Sequence, residues 1–89
     1  MAAVEKLKES IAKEMGTYGK NEVKNAVESG AAESLLLISE MTKESEGLEL
    51  LEMALKNRTE VIEISSHHHG GEMLIGLGGV AVVLRYKLT

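Results

Sequence analysis

The residues best equipped for chemistry lie in one short stretch. His67-His68-His69 supplies imidazoles, Ser65-Ser66 puts hydroxyls beside them, and Glu72 adds a carboxylate. Imidazole is the commonest metal ligand and a ready general base. Three adjacent His in an extended loop point different ways, however, so they do not converge on one ion. Structural zinc sites use spaced ligands, usually with Cys, and the chain has no cysteine. Glu72 and one His would make only a weak, adventitious site. The serines lack the Gly-x-Ser-x-Gly elbow of a nucleophile, and sequence neighbours seldom adopt triad geometry. The expected state is a polar loop before a helix, with Ser65 and Ser66 placed for capping. Gly76-Leu-Gly-Gly79 is glycine-rich, but a phosphate loop runs strand, glycines, helix. Here the order is helix, glycines, strand, which presents carbonyls and suits a helix-ending turn.

These residues need a scaffold. Eighty-nine residues make one domain, which buries only about 60–65% of its unfolded surface. Tyr18 and Tyr86 are the only aromatic residues, so the core is aliphatic. The absence of cysteine suits a reducing, intracellular setting. The N-terminus is a charged amphipathic stretch rather than a signal peptide. The longest apolar run, Val80 to Leu84, is too short to span a bilayer. The net charge is −4, and acidic side chains exceed basic ones in both halves. Non-specific nucleic-acid binding needs clustered Lys and Arg, and only Lys20 and Lys24, one turn apart, offer a local patch.

Val4, Leu7, Ile11 and Met15 recur at helical spacing, which predicts a first helix ending at Gly16. A second runs from Asn21 to Ser29 through Val23, Ala26 and Val27, with Gly30 as a left-handed cap. Leu35 to Ile38 reads as a strand buried on both faces, as in parallel sheets. Glu40 to Gly47 is polar and reads as a loop. Leu48, Leu51, Ala54 and Leu55 mark a third helix ending near Asn57. Val61 to Ile64 is a strand, Ser65 to Gly70 a loop, Glu72 to Leu77 a short helix, and Val80 to Tyr86 a strand. A short extra strand near Thr17 and Tyr18 fits between the first two helices. Alternation of this kind predicts an α/β fold, a three-layer α/β/α sandwich on a small, mostly parallel sheet with right-handed crossovers.

Two motifs at the second helix speak of RNA. Gly16-Thr-Tyr-Gly19 has the layout of a KH-type clamp, but Thr and Tyr stand where a basic residue is usual, and the downstream elements differ. Gly19-Lys20-Asn21-Glu22 resembles the Gly-x-Asn-Glu signature of the kink-turn RNA-binding ribosomal proteins. That resemblance implies RNA contacts from Gly19, Lys20, Asn21, Glu22 and Lys24. The simpler reading is a helix start, with Asn at a cap position and Glu at the positive end of the dipole.

The last third of the chain separates these readings. Ile64-Ser-Ser-His-His-His-Gly-Gly-Glu-Met-Leu-Ile-Gly-Leu-Gly-Gly-Val-Ala-Val-Val-Leu-Arg-Tyr-Lys-Leu resembles the end of the Pelota family. By order, Ser65 closes the strand, His68 takes the family His, Gly71 the helix-start Gly, Gly78 and Gly79 the glycine pair, and Arg85-Tyr86 the terminal pair. Upstream, Tyr18-Gly19, Val23, Ala26 and Gly30-Ala31-Ala32-Glu33 follow the same family's pattern. The third domain of class-one release factors is similar but often carries an inserted subdomain, sometimes with Cys pairs. The kink-turn proteins share the overall fold. The family usually has acidic residues around its single His; this chain departs from it in having three His with no acidic residue from Ser65 until Glu72.

The resemblance implies a protein-docking domain without catalysis or cofactor, in cytoplasmic ribosome rescue, mRNA surveillance (no-go decay) and termination or recycling. Its implied partners are a translational GTPase and the ATP-binding-cassette ATPase that splits ribosomal subunits, with the ribosome itself in a full-length context. Direct nucleic-acid binding and membrane contact are not expected. A full Pelota has two earlier domains, so the chain is either a fragment or a stand-alone relative. His67, His68, His69, Gly71 and Glu72 are the expected partner-binding residues.

Overall fold

The structure, a computed structural model, describes residues 2–86. The elements run α1 (Ala2–Ala12), β1 (Gly16–Tyr18), α2 (Lys20–Glu28), β2 (Ala32–Ile38), a 3-10 helix (Ser39–Lys43), α3 (Ser45–Lys56), β3 (Glu60–Ile64), α4 (His69–Gly76) and β4 (Val80–Leu84). The side chains of Val4 and His69, and residues Lys87 and Leu88 of the terminal motif, lie outside what is described.

Four strands form one sheet in the order β1-β4-β2-β3. Leu35, Leu37, Val80 and Val82 pack against Val23, Ala26 and Val27 of α2 and Leu50 and Ala54 of α3. On the other face, Leu36, Ala81, Val83 and Ile64 meet Leu7 of α1 and Leu74 of α4. The chain is therefore an α/β sandwich of three layers. Alternate residues of β2 and β4 serve opposite cores, which is why both strands read as unbroken apolar runs.

The strand directions differ from the expected mostly parallel sheet. Only β2 and β3 are parallel; β4 runs antiparallel to β2 and to β1. The reason lies in α4. After β3 the chain stays at the end of the sheet where β2 also finishes, and the Ile38 N–H donates to the Gly79 carbonyl oxygen at 3.0 Å. The next strand can then only run back. A central antiparallel strand covered on both faces carries the same continuous apolar pattern as a parallel one.

Other boundaries move for local reasons. Thr17 and Tyr18 do form an edge strand, paired with Val82 and Ala81. The stretch expected as a loop, Glu40 to Gly47, is a 3-10 turn and the first turn of α3. On α3 the buried stripe is Gly47, Leu50 and Ala54, while Leu48 and Leu55 face solvent.

The four α-helices of the described residues end in the same way. A residue at positive φ follows the helix: Glu14, Gly30, Arg58 and Gly78. Its N–H and that of the next residue bond back into the last turn, as Gly30 to Val27 and Ala31 to Ala26 do. This is the Schellman arrangement. Glycine adopts it without strain, but at Arg58 (φ 55°) the Cβ costs about 1–2 kcal/mol. Arg58→Gly should therefore raise the stability to urea by about 1 kcal/mol, after the entropy glycine adds to the unfolded chain. An unchanged or lower midpoint would show that the turn carries no such strain.

Candidate functional site

The loop leaving β3 is built around one close approach. A Cβ on Gly71 would fall on the Ser65 carbonyl oxygen, so only glycine lets the start of α4 lie against the end of β3. The Ser65 carbonyl also accepts from the His68 N–H at 3.1 Å. Its hydroxyl oxygen accepts from the His67 N–H at 3.2 Å. The cap of α4 is not a serine, as expected from the sequence, but His68, whose Nδ1 accepts from the Gly70 N–H at 3.0 Å. An imidazole nitrogen two residues upstream reaches the same free N–H that a serine oxygen usually takes. The result is a closed turn that presents His67, His68 and Glu72 to solvent. Among the described residues, no three His, Asp or Glu side chains are grouped to hold a metal.

The second candidate, the start of α2, is differently furnished. Gly19 occupies the cap position at φ 90°, and no side chain caps the helix. Asn21 and Glu22 are exposed. Lys20 and Lys24, the two cations that would meet phosphate, reach instead to α3. Lys20 Nζ lies 3.2 Å from Glu46 and Lys24 Nζ 3.1 Å from Glu49. The hydrogen bond and charge of Glu49 hold the Lys24 ammonium above its ordinary pKa. These residues line a cleft of about 280 Å³ between α2 and α3. A phosphate entering it would meet two carboxylates, and such repulsion opposes nucleic-acid docking.

The turn that ends α4 packs against the start of α2. Gly78 and Gly79 end α4, and Gly78 lies against the backbone of Gly19, whose N–H donates to the Val80 carbonyl oxygen at 3.3 Å. Ala31 is fully buried, and its carbonyl accepts from the Arg85 N–H at 2.7 Å. Arg85 Nε donates to the Ala32 carbonyl oxygen at 3.1 Å, and Nη2 to those of Asn57 and Arg58. Tyr18 and Tyr86 are about half exposed, at 47% and 53%. These positions are legible in the sequence but their task is not, because the acceptors of Arg85 are all backbone carbonyls that no side-chain pattern reveals.

Comparison with known proteins places this architecture. The pattern of the family described as eRF1 domain 3 matches residues 1–88. The protein pelota homolog of Pyrococcus horikoshii is 46% identical over 89 residues, covering 96% of this chain and 25% of the relative. That of Methanobrevibacter smithii is 37% identical over all of this chain and 26% of its own length. The chain thus spans about a quarter of the relatives it matches. Among solved structures, Thermoplasma acidophilum Pelota superposes with a TM-score of 0.92 at 28% identity, covering 98% of this chain and 28% of that one. A chain from a structure described as ribosome-bound archaeal Pelota and ABCE1 gives 0.84 at 40% identity, over 99% and 26%. The archaeal termination factor aRF1 gives 0.81 at 30% identity, over 96% and 25%. With its fold, its glycine turns and the Arg85 staple all accounted for, the chain belongs to the eRF1 domain 3 family, in the form carried by Pelota proteins.

Proposed function

We propose that this domain is a protein-docking module of a Pelota-like factor in ribosome rescue, mRNA surveillance and recycling. It binds partners and catalyses nothing. The observation that carries this reading is the 40% identity, across 99% of the chain, to the Pelota seen on the ribosome with ABCE1. A further relative, the yeast protein Dom34, is described as a translation termination-like factor that interacts with Hbs1. By that likeness the partners are the ATP-binding-cassette recycling ATPase and a translational GTPase, in the cytoplasm. The exposed turn from His67 to Glu72 is part of the docking face, held in shape by Gly71 and the His68 cap.

The purified domain should bind the ATPase with micromolar or tighter affinity and show no saturable binding to a kink-turn RNA at physiological salt. Replacing His67, His68 and His69 together by Ala should weaken the ATPase complex at least tenfold, the loss of about 1.4 kcal/mol. Unchanged affinity in a folded triple variant would remove the turn from the interface. Tight RNA binding that depends on Asn21 would replace the docking reading with an RNA-binding one.

A further inference from the structure

The sheet has two open edges, and they are unlike. β1 is three residues long, whereas β3 is five and, among the described residues, has no strand paired to its outer row of N–H and C=O groups. Above the β3 edge lies α3, which packs on β3 and, on its other side, on α2. The side toward α2 is polar, since Glu46 and Glu49 pair there with Lys20 and Lys24. Helical spacing puts Leu48, Leu51 and Leu55 on the opposite flank, toward the open edge. Leu48 is 50% exposed and Leu55 76%. Val61 of β3, 36% exposed, is on the same face of the sheet, as its pairing with Leu35 requires. An apolar flank thus overhangs a free strand edge.

The charge of the edge selects its occupant. Glu60 and Glu63 of β3 are exposed, and neither forms an ion pair among the described residues. A second copy pairing through β3 would line four carboxylates, Glu60 and Glu63 of each chain, along one seam, which repels. A strand carrying Lys or Arg would be attracted. We propose that the β3 edge takes an added strand from a protein partner, an extended segment in which apolar residues alternate with basic ones. Its backbone completes the sheet, as in β-strand addition generally. Its apolar residues lie under Leu51 and Leu55 on the face of Val61, and its basic residues lie on the opposite face beside Glu60; Glu63 shares the face of Val61 and draws a basic residue where the apolar row ends. This surface is separate from the His67–Glu72 turn and stands whether or not that turn docks a partner.

The test is a titration of the isotope-labelled domain with a short peptide alternating lysine and valine, followed by amide chemical shifts. Saturable shifts confined to β3 and the Leu48–Leu55 flank, with β1 silent, are expected. Binding should weaken severalfold in Glu60→Gln/Glu63→Gln, weaken with added salt, and vanish for a peptide alternating glutamate and valine. Circular dichroism of the double variant confirms that it is folded. Shifts spread over the surface, equal shifts at β1, indifference to the two glutamates, or no binding would each overturn the proposal. So would a concentration-dependent dimer, by sedimentation, whose contacts map to β3.

Discussion

Gly47→Ala should destabilise the domain by about 2–3 kcal/mol, the upper part of the range for forcing an extra methyl into a filled site. Helix propensity alone says the reverse, since alanine in a helix is favoured over glycine by about 1 kcal/mol. The position decides the sign. Gly47 is buried in the first turn of α3, and a Cβ there would fall on the Met41 carbonyl oxygen, with the Met41 carbonyl carbon close behind. That obstacle is backbone of the 3-10 helix and cannot rotate away. Met41 is itself in the core, and its carbonyl accepts from the Glu44 N–H at 3.2 Å. Relief therefore means lifting α3 and with it Leu50 and Ala54 from the sheet. The thermal midpoint should fall by on the order of 10–20 °C. Gly76→Ala is the control: it is helical and exposed, and its Cβ would meet nothing within 4 Å. That variant should be neutral or stabilised by up to about 1 kcal/mol. If both substitutions behave alike, close packing at Gly47 is not what requires glycine there.

Gly47 also shows where the sequence stops being readable. The apolar rows of β2, β3 and β4 announced strands because each faces a core, and Gly30 and Gly78 announced helix ends because glycine favours positive φ. Glu14 makes the same turn without that signal, and α1 ends at Ala12 rather than at the expected Gly16; Arg58 gives no such signal either, although α3 does end near Asn57 as expected. The direction of β4 was equally hidden: burial on both faces sets the residue types, and both directions satisfy it. Leu48 and Leu55 fitted the helical period but sit beside the buried stripe rather than on it. Periodicity gives the width of an apolar face, not which part of it the sheet covers. For the candidate site, the sequence located the His67–Glu72 turn, yet it placed the cap on Ser65 or Ser66, the residue types that usually hold it. The salt bridges that occupy Lys20 and Lys24 arise between α2 and α3, and no local pattern encodes them.

Arg85 is where a family signature turns out to be architecture, and it supports the second large effect. Its guanidinium joins the start of β2, through Ala32, to the turn that ends α3, through Asn57 and Arg58. The Ala32 carbonyl also accepts from the Thr59 hydroxyl at 3.0 Å, so one oxygen gathers three segments. Arg85→Ala removes three charge-assisted hydrogen bonds. Each is worth more than a neutral one, but the carbonyls of Asn57 and Arg58 stand at the surface, where water replaces the donor. The expected cost is about 1–2 kcal/mol, read as a lower urea midpoint with an unchanged slope. Arg85→Lys should recover less than half of it, because one ammonium cannot reach carbonyls on both segments in the fork geometry of guanidinium. The strained turn gives an independent check. Arg85 and Arg58 share a contact, so Arg58→Gly and Arg85→Ala should combine non-additively. Full rescue by lysine would mean that charge alone, not the bridging geometry, is what this position requires.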